Sequence, residues 1–250
     1  MLSFIEIYFG LAAFFVGASL ASFMNVMVYR MPLNKSVIYP PSACPNCGHK
    51  IRWYENIPVV SWLMLRGKCS SCKTSISPQY VITEFLFGAF TVWFLFTIGL
   101  FSVTDYDFVA LYFLIYFLLT ISLIDLQHKM VPLSLLILSF GIALFVPSNL
   151  TDAALYGFAA LGFFYMFKLV YEYFRGIEVL GEGDLPILGM FGILYGLTPG
   201  FSISLGIATV AGFLFYAYFK IFKKEDTLPF VPALSFGLIS YYLYSTLLIY

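Results

Sequence analysis

Charge is what this sequence has least of. Only 10% of its 250 residues are Asp, Glu, Lys or Arg, against about 25% in soluble domains. In their place stand 61% hydrophobic and 20% aromatic residues, which excludes a water-soluble globular domain and implies a polytopic membrane protein. Net charge is zero, so no global field draws in nucleic acid or acidic partners. The amino terminus lacks a basic segment, and its apolar run from Phe4 to Tyr29 exceeds the core of a secretory signal. A retained helix is expected there. No internal repeat, no low-complexity segment and no glycine fingerprint of a nucleotide-binding fold is present. Cysteine is scarce as well, with four residues confined to one loop.

What is there is a succession of apolar runs. Eight are expected to be helices, all-α and membrane-embedded: Phe4 to Tyr29, Tyr80 to Phe101, Phe108 to Ile124, Val131 to Val146, Ala153 to Phe174, Leu185 to Leu197, Phe201 to Phe222 and Ala233 to Tyr250. Short connections with helix-stopping residues separate several of them, as at Ser148-Asn149, Pro199-Gly200 and Pro229 to Pro232. Small residues at helical spacing in the first run, Gly17 with Ala21 and Ala18 with Ser22, permit close helix packing in lipid.

The few charges give an orientation. Arg30, Lys35, Lys50, Arg52, Arg66, Lys68 and Lys73 lie in or beside the first loop, which the positive-inside rule makes cytoplasmic, with the amino terminus outside. Eight crossings then put Lys129, Arg175, Lys220, Lys223 and Lys224 on the cytoplasmic side, with Lys168 on the helix leading there, and Asp105, Asp107 and Asp152 on the other. A multi-pass membrane protein in that orientation is expected.

The first loop holds Cys44-Pro45-Asn46-Cys47, then twenty-one residues, then Cys69-Ser70-Ser71-Cys72. Two such knuckles on the reducing side of a membrane suit four thiolates around a structural zinc ion better than disulfides, with His49 able to replace one thiolate and free thiols as the alternative. A metal would fold a segment too small for its own core. Between the knuckles runs Trp53-Tyr54-Glu55-Asn56-Ile57-Pro58, whose plainest role is packing around the metal.

Two acids stand at helix boundaries on the same expected side: Asp125 after the third run and Asp184 within Gly181-Glu182-Gly183-Asp184, just before the sixth. Ionisable groups at such positions are functional candidates. Chemistry that needs two carboxylates is aspartic proteolysis, in which an ionised Asp takes a proton from water and a protonated partner polarises the scissile carbonyl. A helix N-terminus favours an anion and a C-terminus disfavours it, so Asp184 is expected to be the base. The sixth run is short, and Gly181 to Asp184 is expected to line a wet recess.

Taken together these residues resemble the bifunctional type IV prepilin peptidases, membrane aspartyl proteases of the GxGD kind. The resemblance runs from Ala21-Ser22-Phe23-Met24-Asn25-Val26 and Tyr29-Arg30-Met31-Pro32 through Cys44 to His49, Glu55 to Pro58, Ser61-Trp62, Arg66 to Cys69, and Tyr80 with Glu84. It continues in Asp125 with Pro132, Gly181 to Asp184, and Leu228-Pro229-Phe230 with Pro232. It implies cleavage, after a glycine, of the basic leader of prepilins or pseudopilins of type IV pilus or type II secretion systems. It also implies N-methylation of the exposed residue with S-adenosylmethionine as donor. Asp125 and Asp184 would be catalytic, Gly181 and Gly183 the site loop, Cys44, Cys47, Cys69 and Cys72 the zinc ligands, and Glu55 and Asn56 associated with methyl transfer. Residues 1–79 would form the methyltransferase-associated part and 80–250 the peptidase.

Two positions depart from the family pattern: Pro186 stands where a lysine is usual, and Leu133 where Asp or Asn is usual. Proline is acceptable in a first helical turn. Two other readings accommodate the acids, a proton-coupled transporter using them as relay sites and a non-catalytic assembly factor with a metal-bound docking loop. The transporter reading leaves the cysteine loop unexplained and predicts an inverted repeat, of which the sequence has no sign.

Overall fold

A computed structural model describes residues 4–99, 106–176, 180–223 and 229–249. Asp105, Lys224, Leu228 and the run ends at Phe101 and Tyr250 lie outside the described residues. Within them the fold is all-helical, with two isolated β-bridges, Ala43 with Lys50 and Lys68 with Ser75, and no strands. Each apolar run holds one helix. Five of these helices are long and apolar enough to cross a membrane, and many large apolar side chains, such as Phe163, Phe213 and Leu214, are exposed. Such a surface is stable against lipid and not against water, so this is a multi-pass membrane protein.

The chain forms two compact units, Met1–Phe101 and Ser102–Tyr250. The first contains α1 (Phe4–Arg30), the short α2 (Val60–Met64) and α3 (Pro78–Phe94). Helix α3 starts where Ser77 accepts the Gln79 N–H and Pro78 fills the first helical position. The small residues of α1 do what their spacing suggests: Gly17, Ala18 and Ala21 are buried, and a Cβ on Gly17 would stand 2.9 Å from the Phe87 carbonyl of α3. Polar groups inside this pair are matched. The Asn25 amide donates to the Thr83 hydroxyl at 2.8 Å, and Glu84 accepts the Val59 N–H at 2.7 Å, tying the loop to α3. Within the aromatic patch, Trp53 is 81% exposed and so does not pack around a metal.

The second unit contains α4 (Tyr106–His128), α5 (Leu133–Ala143), α6 (Leu150–Arg175), α7 (Asp184–Tyr195), α8 (Pro199–Tyr218) and α9 (Val231–Ile249). Asn149 caps α6 by accepting the N–H groups of Thr151 and Asp152. The short α7 is the centre of this unit, since nine of its 12 residues are buried and it is apolar all round. Close approach to α6 depends on glycine: a Cβ on Gly192 would stand 2.7 Å from that of Ala160 and overlap the Tyr156 carbonyl. At its far end the Tyr195 hydroxyl donates to the Leu238 carbonyl of α9, and the buried Ser204 of α8 donates to Gly237 at 2.8 Å.

Candidate active site and metal centre

Asp125 lies in the last turn of α4 and is 5% exposed. Its Oδ2 accepts the backbone N–H of Val231, the first residue of α9, at 3.2 Å. Asp184 opens α7, and its Oδ2 accepts the Gly181 N–H at 3.2 Å while its own N–H donates to the Gly181 carbonyl at 3.1 Å. These paired bonds close the loop on itself. Both carboxylates line one cavity of about 690 Å³, together with Gly181, Gly183, Phe230 and Val231. A recess lined by Gly181, Gly183 and Asp184 is thus present.

Glycine at 183 is explained by space. Its φ is −72°, an ordinary value, but a Cβ there would fall 2.8 Å from the Val131 Cβ. Glu182, between the glycines, is exposed. Pro186 sits in the first turn of α7, where a missing N–H leaves no intrahelical bond unmade. Leu133 opens α5 and is 67% exposed. Val231 was not singled out by sequence, because its contribution is a main-chain N–H. The signal available was its setting between Pro229 and Pro232, which restricts the backbone on both sides.

In the first unit, Cys44, Cys47, Cys69 and Cys72 converge, all four Sγ atoms lying within 4.8 Å of one another. The Cys44–Cys72 and Cys47–Cys69 sulfur separations are 3.8 and 4.0 Å. Tetrahedral zinc with bonds of about 2.3 Å places sulfurs about 3.8 Å apart, so the donor set fits such an ion. The knuckles share one backbone plan. Cys44 N–H donates to His49 and Gly48 N–H back to Cys44, as Cys69 donates to Thr74 and Lys73 back to Cys69. Gly48 and Lys73, four residues after the leading cysteines, both have positive φ, 70° and 61°.

The electrostatics of the cluster suit a cation. The Thr74 hydroxyl and N–H, then the Asn46 side chain, bring the Cys72 thiol down to about 5, and the N–H groups of Cys47 and Asn46 lower Cys44. Cys47 receives the same help from the His49 N–H, yet burial and the other three thiols push it up to about 11. Four thiolates cannot coexist here without positive charge among them.

His49 is not drawn into this set. Its Nε2 meets Glu55 at 3.1 Å. Glu55 also accepts the Arg52 N–H at 2.9 Å, and its carboxyl is held down at about 2 by the Ser70 side chain first, then Arg52 and His49. Glu55 therefore braces both knuckles from the loop between them.

Comparison with known proteins finds matches to both parts of the chain. Residues 15–98 match the Bacterial Peptidase A24 N-terminal domain and residues 112–221 the Type IV leader peptidase family. A Myxococcus xanthus protein named prepilin leader peptidase/N-methyltransferase is 40% identical over 192 residues, which cover 74% of this chain and 55% of that protein. Proteins of the same name from Stutzerimonas stutzeri and Pseudomonas aeruginosa are 30% and 35% identical, covering 91% and 74% of this chain and 88% and 72% of their own lengths. No solved structure matches at a significant level. With an N-terminal module followed by a peptidase module, and similarity along 88% of the length of one such relative and 72% of another, the chain belongs to the type IV prepilin leader peptidase/N-methyltransferase family.

Proposed function

We infer that this protein is a bifunctional prepilin peptidase: it removes the leader of type IV pilin-like precursors and N-methylates the amino terminus that cleavage exposes. The observation that carries the peptidase reading is the meeting of Asp125 and Asp184 on one cavity, from helices 59 positions apart in sequence. In the proposed mechanism Asp184, at a helix N-terminus, is ionised, and Asp125, at a helix C-terminus, carries the shared proton. Asp184 takes a proton from water as its oxygen adds to the scissile carbonyl carbon, and Asp125 gives its proton to the carbonyl oxygen. The C–N bond then breaks as Asp184 returns a proton to the leaving nitrogen and Asp125 recovers one from the intermediate's hydroxyl. Gly181 and Gly183 shape the site loop, and the Val231 N–H orients Asp125.

The substrate is a prepilin or pseudopilin whose apolar helix lies in lipid and whose basic leader reaches the cytoplasmic face of the inner membrane. That orientation follows from the basic first loop, and it puts the amino terminus outside and both acids inside. Eight crossings complete it, with α5 and α7 as the short ones. Cys44, Cys47, Cys69 and Cys72 hold a structural zinc ion, which supplies folding free energy to the loop. Residues 1–79, with Glu55 and Asn56, serve methyl transfer. S-adenosylmethionine supplies the methyl group as an electrophile when bound. Glu55, already committed to His49, Arg52 and Ser70, acts through the shape of the loop.

The test is cleavage of a prepilin by purified protein in detergent, with Asp125→Asn and Asp184→Asn beside wild type. Each variant is expected to lose at least about a thousandfold in rate, with product mass reporting methylation separately. Full cleavage by either variant removes the mechanism.

A further inference from the structure

One buried charge has no place in the chemistry above. Lys168 of α6 is 7% exposed, although its neighbours Phe167, Leu169 and Val170 are 48%, 44% and 51% exposed. A helix with an apolar outer face has turned its lysine inward, which is costly without an anion nearby. Glu172, one turn further along α6, comes to 3.8 Å from Nζ. That is beyond hydrogen-bond range, and Glu172 Oε1 is buried without a hydrogen-bond partner among the described residues.

The packing of α6 on α7 indicates the second anion. A Cβ on Gly189 would lie 3.3 Å from the Leu161 Cβ and 3.4 Å from the Gly157 carbonyl, whereas one on Gly192 would meet Ala160 and Tyr156. Later positions of α7 thus face earlier positions of α6, and the helices run antiparallel. Moving from Gly189 back to Asp184 is a shift of about 7.5 Å at 1.5 Å per residue. The same shift along α6 from Leu161 leads to the turn that contains Lys168. The first turn of α7, Asp184-Leu185-Pro186-Ile187, supplies no cation of its own. Lys129 also lines the cavity but is exposed to solvent.

We propose that Lys168 is the positioning cation of the aspartate pair: its ammonium group, brought from α6, holds the Asp184 carboxylate at the cavity and offsets its negative charge beside Asp125. The role rests on the reading of Asp125 and Asp184 as the catalytic pair. Glu172 keeps the lysine head turned along the helix, and substrate does not touch it.

The experiment compares wild type, Lys168→Met, Lys168→Arg and Asp184→Asn in prepilin cleavage by the full chain in detergent, with kcat and KM resolved. Methylation of a pilin already freed of its leader reports folding. Lys168→Met is expected to lower kcat roughly tenfold or more with KM within about twofold, and Lys168→Arg to restore most of the loss. Wild-type kcat in Lys168→Met, or equal damage in Lys168→Arg with methylation intact, overturns the proposal. If Lys168→Met also loses methylation, Lys168→Gln takes its place with the same two outcomes. Cleavage by Asp184→Asn would instead remove the underlying reading, whatever the lysine variants do.

Discussion

The cysteine loop and the aspartate pair are both small polar assemblies in an apolar chain, and they are built by opposite means. The loop is local. Each knuckle is a tight turn closed by its own backbone bonds, and the two are joined by sulfurs and by Glu55. The pair is remote, with one acid at the end of α4 and the other at the start of α7, and its geometry is inherited from helix packing. A local assembly with little core depends on a bound ion, whereas a packed one depends on side-chain volumes. The two sites should therefore fail under different insults.

Metal removal should separate them most sharply. Chelation, or Cys72→Ser, is expected to reduce methylation by roughly a hundredfold while cleavage falls by less than about tenfold, with metal content read by elemental mass spectrometry beside both activities. Equal loss of both would erase the contrast. Gly183→Ala tests the other side. A Cβ 2.8 Å from Val131 must push the site loop aside at a cost of about 1–3 kcal/mol, so cleavage should drop roughly tenfold with methylation spared. A cleavage rate unchanged by that methyl would mean that packing does not set the pair's geometry.

The smallest effect concerns Glu55. Its folded value of about 2 lies below the ordinary ~4.3 of a glutamate. Its brace is therefore complete above the ordinary value and is lost as pH falls toward the folded one. Glu55→Gln should release metal at a pH about half a unit higher than wild type does, followed by titration with a chromogenic chelator. Coincident release curves would show that the sulfurs alone hold the knuckles.

The sequence was legible wherever a residue type had few alternatives. Acids at the edge of apolar runs stand out because lipid tolerates few charges, and four cysteines in two pairs stand out because only a few chemistries use them. Helix positions followed from hydrophobic run length for the same reason. Neighbour relations were harder to read. Lys168 was visible only as one more charge near the cytoplasmic side, because its inward turn depends on how Gly157, Gly189 and Gly192 let α6 and α7 meet. His49, adjacent to a knuckle, looked like a ligand by type, yet backbone geometry aims it at Glu55. In each case the missing information was a contact across elements.

The bond from Val231 to Asp125 has a consequence for how this enzyme tolerates change. Its donor is a peptide group, which every amino acid except proline carries. Position 231 can therefore drift among apolar residues without severing the contact, and an alanine scan would register only the packing that the valine side chain provides. Replacing the amide by an ester at that bond would expose the hidden dependence, since the side chain and its volume would stay while the donor disappeared. Part of the site is thus set by the path of the main chain, where a comparison of side chains does not reach.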